Sequence, residues 1–122
     1  MRNRPGYNLF KNAGYALEGF LEVLKNETAF KIELFISVCV WVGLIFVPIP
    51  FIAKAILALS LFPVLIAELA NSAIERVVDL ATMEHHKLAK HAKDAASAMV
   101  LFSVIFAILV WLATLSYLFI WS

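Results

Sequence analysis

This chain has little charge, little glycine and a single cysteine. Of its 122 residues, 16% are charged and 63% hydrophobic, against about 25% and about 45–50% in soluble proteins. Mean hydropathy is +0.90. A soluble domain this small buries only about two-thirds of its unfolded surface, so the apolar excess would face water. An ordinary soluble globular protein is therefore excluded, and so is a disordered tail. The net charge of +1 leaves no electrostatic footprint for nucleic acid. Cys39 has no internal disulfide partner and lies in an apolar run, so redox chemistry is not the theme. Neither a GxxxxGK[ST] nor a GxGxxG phosphate loop occurs. Any nucleotide site must then be assembled from scattered side chains and a metal. What remains is one integral-membrane domain spanning residues 1–122, without repeats or linkers.

The apolar runs set the architecture. Residues 34–53 carry no charge, residues 55–67 carry none before Glu68, and residues 95–122 carry none at all. A membrane helix needs about 20 apolar residues. Pro48-Ile49-Pro50 is a turn signal, because the residue before each proline is pushed out of the helical region. The expected fold is all-α: a first span over about 30–47 and a second over about 51–72. The second continues as a helix to about 82, a polar loop covers about 83–94, and a third span covers about 96–120. Phe10, Ala13, Leu17, Leu21 and Leu24 recur at three- and four-residue steps, with Lys11, Glu18, Glu22 and Lys25 elsewhere on the wheel. Residues 7–27 thus read as an amphipathic helix on the membrane surface. Arg2, Arg4, Lys11, Lys25, Lys31, Arg76, Lys87, Lys90 and Lys93 all fall on one side of the spans, and only Lys54 on the other. The positive-inside rule puts the N-terminus in the cytosol and the C-terminus outside.

The informative residues are acids in apolar surroundings. Glu68, Asn71, Glu75 and Asp79 are spaced by three, four and four, which places them on one helix face. An acid inside hydrocarbon costs a few kcal/mol and normally marks a function or a partner. A face that merely glues helices together is the bland reading, and three acids with one Asn go beyond it. Glu68 and Glu75 are two turns apart, about 10.5 Å by rise, so they cannot hold one ion together. Glu75 can share a hard cation only with a carboxylate from elsewhere. Glu27, where the surface helix meets the first span, is at the same depth. Glu68 lies deeper and drier, which suits proton abstraction. A base at the depth of a lipid hydroxyl, with a metal carboxylate at the depth of soluble phosphates, points to transfer across the interface. A proton or cation pathway is the rival class, but these acids gather at one interface instead of crossing the bilayer. The loop histidines, His85, His86 and His91, fit a solvated loop or a polyphosphate contact better than zinc, because adjacent histidines diverge and no cysteine joins them.

The strings Glu68-x-x-Asn71-Ser72-Ala73-Ile74-Glu75-x-Val77-Val78-Asp79 and Ala92-Lys93-Asp94-x-x-Ser97-Ala98, with His86, Ala13-Gly14-Tyr15 and Asn26-Glu27-x-Ala29-Phe30, resemble the prokaryotic diacylglycerol kinases over roughly residues 7–112. The resemblance implies phosphoryl transfer from MgATP to the primary hydroxyl of diacylglycerol at the cytosolic face of the inner membrane, in a homotrimer with sites shared between neighbouring subunits. Carried over residue by residue, it makes Glu68 the general base and gives Asn71 and Asp79 supporting roles. It assigns Mg²⁺ to Glu27 and Glu75. ATP falls to Tyr15, Glu84, His85, His86, Lys93 and Asp94 beside those two carboxylates. The lipid side falls to Ala29, Phe30, Glu33, Glu68 and Ser97. Asn8 stands where the family often has a basic residue, so Lys11 or Arg4 is expected to make that ATP contact. His85 replaces a common aromatic and Met99 a common small residue. The sister branch, undecaprenol kinase, is the alternative. Asn71-Ser72-Ala73 and Ser97-Ala98 look closer to the diacylglycerol branch.

Overall fold

The computed structural model describes residue 6 and residues 8–121. Arg2, Arg4 and the expected start of the surface helix at residue 7 lie outside the described residues. Five α-helices follow in order: α1 (Leu9–Asn26), α2 (Thr28–Phe46), α3 (Phe51–Leu59), α4 (Phe62–Ala81) and α5 (Lys87–Ser116), the last closing in a π-turn over Tyr117–Trp121. Among the described residues there is no strand. Three segments are long and apolar enough to cross a membrane: Thr28–Phe46, Phe51–Ala81 and Lys87–Trp121.

Helix ends follow the chemistry of their residues. Asn8 caps α1, its side-chain oxygen accepting from the amides of Phe10 (3.0 Å) and Lys11 (3.2 Å). Glu27 is the single extended residue between α1 and α2 (φ −110°, ψ 111°). Its amide still donates to Val23 O (2.8 Å) and its carbonyl accepts from Lys31 N (3.2 Å). The chain therefore bends at Glu27 with that residue's own amide and carbonyl both bonded. The turn expected at the two prolines is present between Val47 and Pro50.

Two sequence expectations are corrected. The second span is not one continuous helix: it breaks at Ser60-Leu61, and Pro63 falls in the first turn of α4. A proline there has no amide to leave unbonded, so the interruption sits just before it. The polar loop is also shorter than 83–94, since α5 begins at Lys87. His86 Nδ1 accepts from Leu88 N (3.1 Å) and caps it. Charged residues 87–94 are thus the first turns of a long helix, where Lys90 and Asp94 pair one turn apart at 2.6 Å.

Length explains why polar residues protrude at one end. Phe51–Ala81 is 31 residues and Lys87–Trp121 is 35, about 46 and about 52 Å by rise against about 30 Å of hydrocarbon. Packing between spans uses small residues, with Ser37, Ala53, Ser60, Ala67, Ser72, Ala96 and Ala107 all buried, so that backbones approach closely. The largest apolar cluster, Val23, Phe30 and Leu65 with Phe20, Leu24, Leu34, Trp41 and Leu69 against it, ties α1 and α2 to α4. Phe20 meets Phe30 edge-on at 5.7 Å, a geometry worth about 0.5–1.5 kcal/mol beyond burial. The face of α1 that packs is therefore Phe20, Val23 and Leu24. Phe10, Leu17 and Leu21 stay exposed, as a stripe facing lipid requires.

Candidate active site

The polar end of α4 collects the acids. Going along it, Glu68, Asn71, Glu75, Arg76 and Asp79 each meet a residue from another turn or another helix. Glu68 has Glu33 of α2 as its neighbour. One turn on, Asn71 Nδ2 donates to Glu75 Oε1 at 3.1 Å. Beyond these, Lys93 of α5 donates to Asp79 at 2.6 Å and joins the two overhanging helices. Two oxygens in this region, Glu33 Oε2 and Asn71 Oδ1, are buried without a partner among the described residues. Buried polar groups are ordinarily satisfied, so this end of the bundle retains hydrogen-bonding capacity that the fold itself does not use.

Arg76 supplies a connection that sequence reasoning missed. Its guanidinium donates to Glu22 of α1 and, through the other terminal nitrogen, to Glu27 at 3.0 Å. Asn26 Nδ2 donates to the other oxygen of Glu22 at 3.0 Å. The bond from Arg76, against the opposing effect of burial and helped by Asn26, holds the Glu22 carboxyl below its usual value. Glu22 and Arg76 are 54 positions apart, which no periodicity could reveal. The available signal was weaker: Arg76 is the one arginine in an otherwise acidic stretch.

The expected nucleotide residues divide between two places. Glu84, His85, His86, Lys93 and Asp94, joined by Asp79 from the expected supporting residues, line one open pocket of about 280 Å³ between the end of α4 and the start of α5. Tyr15 instead lines a cleft of about 730 Å³ between α1 and α4, together with Glu22 and Arg76. Lys11 is exposed near the start of α1, and neither cavity includes it. On the expected lipid side, Ala29 and Ser97 are exposed and Glu33 is half-buried. Phe30 is 1% exposed, so its side chain is core in this chain and offers no surface to a substrate.

Hard oxygen donors are present for a divalent cation. Glu75 accepts from Asn71, whose own Oδ1 has no partner among the described residues, and Glu27 is held by Arg76, the residue that follows Glu75 in the chain. Among the described residues no group of three or more His, Cys, Asp or Glu side chains forms a ready-made cage. This donor set fits Mg²⁺, which keeps several waters and takes one or two carboxylates together with substrate phosphates.

Comparison with known proteins identifies the family. The family described as Prokaryotic diacylglycerol kinase matches residues 14–115. The chain is 36% identical over 115 residues to the diacylglycerol kinase of Escherichia coli K12, covering 89% of this chain and 90% of that protein. It is 37% identical over 105 residues to the diacylglycerol kinase of Haemophilus influenzae, covering 85% and 88%. Against the diacylglycerol kinase of Pseudomonas aeruginosa PAO1 the identity is 35% over 104 residues, covering 80% of each. With the acids of α4, the overhanging ends of α4 and α5 and this likeness along most of its length, the chain belongs to the prokaryotic diacylglycerol kinase family.

Proposed function

We propose that this protein transfers the terminal phosphoryl group of ATP to the primary hydroxyl of diacylglycerol, giving phosphatidic acid, at the cytosolic face of the inner membrane. The observation that carries the reading is the order of groups along α4. The Glu33–Glu68 pair lies deepest, the Asn71–Glu75 pair one to two turns further out, and the Asp79–Lys93 pair beyond. A lipid hydroxyl held at the apolar–polar boundary meets the first, and phosphates approaching from water meet the others.

Phosphoryl transfer passes through a loose transition state, so positioning and charge neutralisation supply most of the catalysis. Glu68 takes the hydroxyl proton as the lipid oxygen bonds to phosphorus. The bond from phosphorus to the bridging oxygen breaks, and ADP leaves with that electron pair. Glu33, the neighbour of Glu68 on α2, helps to position it. Asn71 fixes Glu75, Asp79 fixes Lys93, and Lys93 with Glu84, His85, His86 and Asp94 cradles the nucleotide. Glu27 and Glu75 would hold Mg²⁺, which when bound neutralises phosphate charge. Ala29 and Ser97 border the lipid. Tyr15 and Lys11 lie apart from the pocket at Glu84–Asp94. A homotrimer in which one subunit's α1 reaches a neighbour's α4–α5 pocket brings them together. The N-terminus lies in the cytosol and the C-terminus in the periplasm, as the lysines and arginines require.

The test is a competition assay with MgATP and both lipids, diacylglycerol and undecaprenol, presented in mixed micelles. Diacylglycerol is expected to turn over faster. Faster turnover of the polyprenol would move the protein to the sister branch, and turnover of neither would overturn the kinase reading.

A further inference from the structure

The Arg76 bridge lies across a residue that the proposed function needs free. Glu27 is the bend between α1 and α2 and offers its carboxylate to Mg²⁺, yet here that carboxylate is held by Arg76 at 3.0 Å. The same guanidinium holds Glu22 through its other terminal nitrogen. Its two partners are therefore unequal. Glu22 also accepts from Asn26 and has no part in the proposed metal site, whereas Glu27 does. All three side chains are part-exposed, at 44% for Arg76, 46% for Glu22 and 36% for Glu27. An ion pair with that exposure is weak enough to exchange.

We propose that Arg76 is a positioning residue that acts as an internal counter-ion for Glu27: it holds the carboxylate in place before metal arrives, gives it up to the metal, and remains anchored on Glu22. The inference rests on the reading of Glu27 and Glu75 as metal carboxylates. Arginine suits this role because its planar fork binds two carboxylates at once and stays charged throughout. When Glu27 leaves for the metal, the guanidinium keeps Glu22 as its partner. The same exchange reduces the polar tether between α1 and α4 from two bonds to one, which couples metal loading to the freedom of the surface helix. The apolar contacts at Val23 and Phe30 keep α1 docked meanwhile.

This exchange makes opposite predictions for the two ends of the bridge. Removing the arginine frees Glu27, so Arg76→Gln should bind metal more tightly. Removing the other acid leaves the guanidinium to Glu27 alone, so Glu22→Gln should bind metal more weakly. The size expected is about two- to fivefold in each direction, the range that exposed ion pairs deliver. A purely structural Arg76 would move both variants the same way or neither.

The experiment titrates the full-length protein in detergent micelles with Mn²⁺ alone, without nucleotide, and reads free Mn²⁺ by electron paramagnetic resonance. Lys25→Gln serves as a field control, since it removes an equal charge near Glu27 without touching the bridge. Tighter binding in Arg76→Gln, weaker binding in Glu22→Gln and no tightening in Lys25→Gln support the exchange. Equal tightening in Lys25→Gln overturns it in favour of a general field effect, as does a shift of the same sign in Arg76→Gln and Glu22→Gln. Glu27→Gln and Glu75→Gln separate the two layers of the argument. If they bind Mn²⁺ as the parent does, the metal assignment itself fails and takes the exchange with it. If they lose Mn²⁺ while Arg76→Gln shows no tightening, the assignment stands and the exchange alone is wrong. Should Arg76→Gln fail to fold, Arg76→Lys, which keeps the charge but loses the fork that grips two carboxylates, decides: tighter binding supports the exchange, and unchanged or weaker binding overturns it.

Discussion

The break in the second span and the polar end of α4 both place polar atoms in a largely apolar molecule, yet they treat them in opposite ways. At the break every side chain involved is bonded. Ser60 Oγ donates to Leu57 O (2.6 Å) and accepts from Trp111 Nε1 (2.9 Å), while Trp41 Nε1 donates to Ala58 O (2.9 Å). Nearby, Lys54 Nζ donates to Ile45 O, at the last turn of α2 (3.0 Å). The carbonyls of Leu57 and Ala58 at the interruption are bonded by neutral donors and Ile45 O at the end of α2 by one lysine, as apolar surroundings demand. At the polar end the partners are charged and exchangeable, and Glu33 Oε2 and Asn71 Oδ1 have none among the described residues. Closed polarity holds a shape. Open polarity waits for a ligand.

That contrast can be broken most severely at Glu68. Glu68→Gln removes the proposed base without changing its size, and turnover is expected to fall by about 10²–10⁴, the usual contribution of a general base. A phosphorylation assay beside helix content by circular dichroism checks this, and a rate near the parent's would refute the base role. Next comes Asn71→Ala, which removes the group that steadies Glu75. Loss of such an outer partner costs about 10–100-fold in metal affinity or activity. The Mg²⁺ concentration for half-maximal rate should rise accordingly, and an unchanged requirement would sever Asn71 from the metal site.

Ser60→Ala tests the other region. It leaves the part-buried Trp111 Nε1 beside a methyl group without its acceptor, a loss of about 1–3 kcal/mol. Thermal unfolding in detergent should show lower stability, while turnover per folded molecule stays as in the parent. A selective loss of turnover would mean that the break takes part in the chemistry. The smallest effect is in pH. Glu22 has its carboxyl lowered from 4.5 by Arg76, so its contribution to holding α1 on α4 is complete above its unfolded value. It disappears as pH falls through the lower folded value. A spin-label distance between α1 and α4 should therefore stay constant down to about that value, then lengthen in the parent but not in Glu22→Gln.

The sequence made the spans legible because apolar run length is a local property, and Pro48-Ile49-Pro50 marked the first turn for the same reason. The single-face spacing of Glu68, Asn71, Glu75 and Asp79 was legible too, since α4 is regular there. What escaped depends on distant partners. The break at Ser60 is stapled by Trp41 and Trp111, 17 and 51 positions from the atoms they bond. Pro63 belongs to the restart of the helix. The loop over 83–94 was drawn too long because charge resembled loop, whereas His86 supplies a cap and the charges pair along a helix turn. Glu27 as a one-residue bend, and Arg76 as its counter-ion, required the folded chain.

The central claim is that the acids of α4 perform the chemistry and the hydroxyl–indole staple at the break maintains the fold. Its most direct test is to measure turnover and unfolding midpoint together for Glu68→Gln and Ser60→Ala in the same detergent. The account predicts a crossover, with Glu68→Gln losing turnover at an unchanged midpoint and Ser60→Ala losing midpoint at unchanged turnover per folded molecule. Loss of both properties in each variant, or of the opposite one, would contradict it.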